Sequence, residues 1–276
     1  MHGFAVVKSK IQGFYSFWKL VIHHFFHDDG PYRASALAFT SLLAVVPLMT
    51  VAFSAISSLP VIQNLNQPVQ DFIFENFMPA TGKIIQSYLS QFVTQVSKLS
   101  VWGVVFLVAT ALLMMITIEH SMNKIWRTHR ARSGVDALLL YWAILSLAPI
   151  FLGLSITITS YLAALPFQDH HAPLILVRTT SYLLSLIAFT AFYIIVPNCK
   201  VKFKDALIGG LVTTILFETA KQLFGLYLSK FHYYELLYGA FAIIPVFFVW
   251  VYWVWVIILL GAEVSYVLSL KKTKNY

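Results

Sequence analysis

Polar positions are spaced along this chain so that they leave long apolar stretches between them. No charged side chain falls between Arg33 and Asp71, from Leu99 to Ile118, from Ala137 to Gln168, from Thr179 to Cys199, or from Leu236 to Ala262. About 20 apolar residues at ~1.5 Å rise cross a hydrocarbon core of ~30 Å, and a helix satisfies its own backbone hydrogen bonds there. The pattern therefore predicts an all-α, polytopic membrane protein with six transmembrane helices, at about 34–59, 101–118, 137–165, 174–196, 206–228 and 241–268. Pro47 and Pro149 lie inside the first and third spans and are predicted to kink them, because proline removes a backbone donor. Gly209 and Gly210 in the fifth allow a neighbouring helix to approach closely. Trp250, Tyr252, Trp253 and Trp255 in the sixth suggest packing as well as interfacial anchoring.

The flanking segments have a different period. Ile11, Phe14, Tyr15, Trp18, Val21, Ile22, Phe25 and Phe26 recur at three- and four-residue spacing, which predicts an amphipathic helix lying in the cytoplasmic interface within residues 1–33. Asp28, Asp29, Gly30 and Pro31 are expected to stop it and turn the chain into the first span. Residues 60–100 form the one sizeable external segment, read as two short amphipathic helices broken at Pro79. The membrane domain covers 34–270, and 271–276 is a basic cytoplasmic tail.

Composition sharpens this picture. Of the 276 residues, 59% are hydrophobic and 11% charged, against roughly 25% charged in soluble domains. The formal charge of +8 raises the question of a nucleic-acid partner, and the placement of the basic residues answers it. Fourteen of the 19 Lys and Arg flank alternate spans: Lys8, Lys10, Lys19 and Arg33; Lys124, Arg127, Arg130 and Arg132; Lys200, Lys202 and Lys204; Lys271, Lys272 and Lys274. That asymmetry predicts cytoplasmic termini and contact with anionic lipid headgroups, with no nucleic acid required. Lys19, His23 and His24 interrupt any signal-peptide core, so uncleaved insertion is expected. Cys199, the single cysteine, reads as an inert small residue.

Ionisable groups at membrane depth are expensive and are functional candidates by default. Glu218 and Lys221 in the fifth span are spaced i,i+3, as a structural ion pair, as part of a substrate or ion pathway, or with Lys221 snorkelling outward. Glu263 in the sixth is a candidate partner for Arg33, Asn123 or Arg127, or part of a gate. Glu119, Asn123 and Arg127 repeat every four residues at the end of the second span, as an ordinary helix end or as support for an inner gate. His23 and His27 have a two-ligand i,i+4 spacing, but no carboxylate or cysteine completes a site, so no metal and no cofactor is expected. A glycine-rich phosphate loop, a G-x-S-x-G elbow and an H-E-x-x-H motif are all missing, and the chain does not read as an enzyme.

Several stretches together resemble one family, the bacterial YihY/BrkB inner-membrane proteins. They are Ala34 to Phe39 through Val46-Pro47-Leu48; Asn123 to Arg127; Tyr141-Trp142 with Pro149; Val196-Pro197-Asn198; Tyr238-Gly239-Ala240 with Pro245 and Trp250; and Gly261-Ala262-Glu263. The resemblance implies a six-span inner-membrane bundle without an established biochemical activity or settled catalytic positions. Some members carried a ribonuclease label, which these residues do not support because they cluster no His and Asp ligands for a catalytic metal. Two functional readings follow. One is a small transporter or a lipid- or ion-handling permease in envelope or stress homeostasis, its substrate unnamed. The other is a non-transporting envelope protein linked to virulence or serum resistance. A homo-oligomer is compatible with both.

Overall fold

A computed structural model of the chain describes residues 2–57, 101–128, 132, 134–137, 139–141, 143–144, 172–229 and 243–273. Every regular element among them is helical: α1 (His2–His27), α2 (Gly30–Ser57), α3 (Val101–Ile125), α4 (Ala172–Ile195), α5 (Phe203–Ser229) and α6 (Ile243–Thr273). Helical backbone also occupies 134–137, 139–141 and 143–144. The external segment 60–100, Pro149 with the body of the third predicted span, and His170 and His171 lie outside the described residues.

The boundaries differ most from the charge pattern at two helix ends. α3 runs past the predicted end at Ile118 to Ile125, and α6 runs through Leu268 into the predicted tail as far as Thr273. An apolar run marks what can face lipid, whereas a helix continues for as long as its polar residues find partners. At Pro47 the backbone of α2 stays helical on both sides.

The last helix organises the rest. α6 touches α1, α2, α3, α4 and α5, and its buried face supplies Trp255, Leu259, Ala262, Val264 and Val267 to a core shared with Leu37, Met122 and Tyr193. α5 and α6 meet most closely at Gly209 and Gly261. A Cβ on Gly209 would collide with Ser265 Oγ and lie 2.6 Å from the Gly261 carbonyl, and one on Gly261 would collide with Thr213 Oγ1. Small residues four apart on each helix, Gly209 with Thr213 and Gly261 with Ser265, thus let the backbones nearly touch. Tyr193 from α4 closes the seam: its hydroxyl donates to the Ile258 carbonyl at 2.7 Å and lies 2.6 Å from Thr213 Oγ1. Thr213, Thr214 and Thr219 return their hydroxyls to carbonyls one turn back, so each is satisfied without water.

The outward faces are apolar. Leu183 and Ile187 on α4, Ile215, Leu223 and Leu226 on α5, and Trp253 on α6 are exposed, each by half or more. Among the described residues two segments, Phe203–Tyr227 and Pro245–Leu270, are long and apolar enough to cross a membrane, and Thr179–Ile195 is a shorter apolar helix.

Cross-links fix which helix ends lie together. Asn198 N–H donates to Asn123 Oδ1 at 2.7 Å, placing the end of α4 beside the end of α3. Ser265 Oγ donates to the Asp205 carbonyl at 2.9 Å, placing the start of α5 beside the last turns of α6. The α1–α2 corner joins the same end through Arg127 and His24. Lys124, Arg127, Arg132, Lys200, Lys202 and Lys204 all belong to this end of the bundle.

Candidate functional site

The polar end is built on two backbone reversals. α1 stops where Asp29 adopts a left-handed φ of 58°. Gly30 follows where a Cβ would sit 2.6 Å from the Phe25 carbonyl, so only glycine lets α2 start this close. Arg33 Nε donates to the Asp28 carbonyl at 3.0 Å and ties the corner together. At the other reversal, Arg127 N–H bonds the Lys124 carbonyl and Thr128 N–H bonds the Asn123 carbonyl, ending α3 in a Schellman turn. The left-handed position of that turn, usually glycine, is Arg127 itself at φ 51°.

This turn aims the Arg127 guanidinium at the corner. Nη2 donates to His24 Nδ1 at 2.9 Å and lies 3.9 Å from Asp28 Oδ2, and the guanidinium carbon sits 5.4 Å from the centre of the Tyr266 ring. His24 is an acceptor here, because arginine has no lone pair to offer. Burial, and then the positive charge of Arg127, hold the His24 pKa below its usual value. Glu263 lies under this cluster, fully buried, with Oε2 lacking a hydrogen-bond partner.

Around the side of α3 is a second cluster. Glu119 is buried, accepting from Tyr141 OH at 2.7 Å through Oε2 and from Asn123 Nδ2 at 3.3 Å through Oε1. Tyr141 belongs to the helical stretch that follows the Arg132 loop, and Asn123 in turn receives the Asn198 backbone N–H. An open cleft of about 330 Å³ lies against this network, lined by Leu112, Ile116, Glu119, His120, Arg132 and Tyr141 among others. Arg132 contributes a buried Nη1 with no hydrogen-bond partner. An unpaired buried donor costs roughly 1–3 kcal/mol, and more for a charged group, so the wall of this cleft holds a guanidinium nitrogen whose desolvation no protein hydrogen bond offsets.

Towards the far end of α5, Lys221 Nζ and Glu218 Oε2 are 2.8 Å apart, Ser185 Oγ donates to Glu218 Oε1 at 3.4 Å, and the Lys221 ammonium lies 5.2 Å from the Phe217 ring centre. Both charges are matched within the bundle.

The structure thus sorts the sequence candidates. Glu218 and Lys221 pair directly. Glu119 and Asn123 share a face as their spacing requires, but Arg127 does not join them, because α3 ends at Ile125 and the left-handed turn directs it to His24 and Tyr266. Arg33, Asn123 and Arg127 hydrogen-bond to Asp28, Glu119 and His24 respectively rather than to Glu263, although Glu263 lies within the electrostatic reach of Arg127. Cys199 is half-buried, and burial pushes its thiol pKa up, away from the reactive range. Among the described residues no three His, Cys, Asp or Glu side chains gather as metal ligands. Three participants escaped sequence reasoning. Asp28 looked like a helix stop and Arg132 like a topogenic charge, while Tyr141 appeared only within a family motif. No local spacing signals Tyr141 as the partner of Glu119, 22 residues earlier.

Helices with apolar outward faces, α5 threonine hydroxyls satisfied internally and polar ends gathered at one side of the bundle define a helical membrane protein among the described residues. The chain belongs to the Virulence factor BrkB family, whose model matches residues 21–276. A UPF0761 membrane protein of Legionella pneumophila (strain Corby) is 61% identical over 95% of this chain and 64% of its own length. One of Azotobacter vinelandii is 45% identical over 90% and 62% respectively, and one of Photobacterium profundum 42% identical over 89% and 78%. The chain therefore spans less than two thirds of the first two of these relatives. No solved structure matches it.

Proposed function

We propose that this chain is a non-enzymatic, lipid- or ion-handling permease of the bacterial inner membrane, with six spans and both termini cytoplasmic. The basic residues collected at one end of the bundle support that orientation through the positive-inside rule. The starts of α2 and α5 and the ends of α3, α4 and α6 gather at one end of the bundle, an alternation that supports the six-span layout. The observation that carries the permease reading is the open cleft of about 330 Å³ lined by buried Glu119 and by Arg132, whose buried Nη1 has no hydrogen-bond partner. Membrane proteins place ionisable groups where substrates or ions pass, and here a carboxylate and a guanidinium line one cleft beside an apolar wall.

A second reading rests on a different observation. The α4–α5–α6 seam is closed by glycine contacts, and Glu218 and Lys221 neutralise each other within it, as expected of a non-transporting envelope protein. Purified full chain in sealed vesicles, assayed for movement of headgroup-labelled phospholipid and for sodium, potassium and proton flux, separates the two. Protein-dependent flux supports the permease, and rates equal to those of protein-free vesicles support the envelope role.

A further inference from the structure

The cleft beside α3 has an asymmetric lining. On one side stand Ile116 and Leu112, about one and two turns up α3 from Glu119, with Ile116 itself exposed. On the other stand Glu119, Arg132 and Tyr141, at the end of the bundle that carries the basic residues. The apolar wall continues onto Leu113 and Leu139, which are more than half exposed, so the cleft opens towards the apolar outer face of the bundle. A ligand matching this lining has an apolar part, an anionic group for the guanidinium and a cationic group for the carboxylate.

The polar groups are already set for such a ligand. Glu119 accepts one hydrogen bond on each oxygen, from Asn123 and Tyr141, which fixes its plane and leaves a lone pair on each oxygen free. Arg132 keeps a buried Nη1 without a partner in a cleft it shares with that carboxylate. Guanidinium groups recognise phosphate through paired N–H donors, and primary ammonium groups donate to carboxylates.

We propose that this cleft is a headgroup site for a zwitterionic aminophospholipid, with Arg132 receiving the phosphate, Glu119 the primary ammonium, and Leu112 and Ile116 the start of an acyl chain. The proposal rests on the permease reading for its place at the membrane face, but binding and flux are separate measurements. A chain that binds the lipid selectively and moves nothing retains this site while losing the permease.

The test titrates purified, delipidated full chain in detergent with dihexanoyl phosphatidylethanolamine, followed by calorimetry. Parallel titrations use the matching phosphatidylglycerol and phosphatidylcholine and inorganic phosphate. Saturable binding of the ethanolamine lipid is expected, with at least about tenfold preference over the glycerol lipid, the size of one lost charge-assisted contact. Glu119→Gln should erase that preference, and Arg132→Gln should weaken both lipids, with Arg132→Lys restoring most of the loss. Where Glu119→Gln fails to fold, Ala137→Leu narrows the cleft without touching the polar network and should abolish lipid binding alone. Equal affinity for the ethanolamine and glycerol lipids, inorganic phosphate binding as tightly as either lipid, or unchanged binding in both Arg132→Gln and Ala137→Leu would overturn the proposal.

Discussion

Arg127 Nη2 donates to His24 Nδ1 across 2.9 Å, joining the end of α3 to the end of α1 through a bond that exists only while the imidazole is neutral. The depressed His24 pKa sets the sign: the undocked histidine, with a pKa of about 6.5, binds protons more readily than the docked one. Docking is fully supported above that value and is lost as the pH falls through the lowered one. Thermal stability in detergent should therefore drop between about pH 7 and pH 5 in the parent chain and drop less in His24→Asn, which accepts without titrating. Identical pH profiles for the two would contradict the assignment.

The turn that aims Arg127 has its own signature. A non-glycine residue in the left-handed region costs about 1–2 kcal/mol, and this chain places an arginine there where glycine is usual. Arg127→Ala loses the side-chain contacts and keeps the strain, whereas Arg127→Gly loses the contacts and relieves it. The glycine variant should be the more stable of the two by about 1 kcal/mol, measured by thermal melting. The reverse order would mean that the turn is not left-handed in solution.

Two glycines in the membrane-facing helices should respond oppositely to alanine. Around Gly225 no atom lies within 4 Å of an added Cβ, so Gly225→Ala gains helix propensity of about 0.5–1 kcal/mol. At Gly261 the Cβ meets Thr213 Oγ1 and Tyr193 OH, so Gly261→Ala forces α5 from α6 and costs about 1–3 kcal/mol. Stabilisation by both substitutions would show that the seam is looser than described.

For the matched pair in α5, Glu218→Gln or Lys221→Met alone leaves a poorly solvated charge without its partner, a loss of about 3 kcal/mol. Replacing both should return the melting temperature close to the parent value. A double variant as unstable as the worse single one would mean that the pair is not a unit.

How much of this was legible beforehand follows the range of the forces involved. Helical identity and approximate limits came from apolar runs, because burial in lipid is a property of consecutive residues. The Glu218–Lys221 pair was legible because three-residue spacing on a helix is local geometry. Arg127 misled for the same reason: four-residue spacing assumes that the helix continues, and nothing in Trp126-Arg127-Thr128 advertises a left-handed turn without glycine. Tyr141 beside Glu119, Asn198 on Asn123 and Tyr193 on Ile258 depend on how separate helices meet, which no spacing encodes. Glu263 shows a related limit. Its burial follows from its place in an apolar helix, but its lack of a described partner on Oε2 could be learned only from the fold.

The central claim is that charge beside the open cleft handles substrate whereas charge inside the closed seam holds helices together. Its most direct test is headgroup-labelled phospholipid flux in vesicles carrying Glu119→Gln or the Glu218→Gln/Lys221→Met double variant, each compared with the parent at matched folded amounts. The account predicts parent-like flux in the double variant and a loss of about tenfold or more in Glu119→Gln. Full flux in Glu119→Gln with loss in the double variant would contradict it.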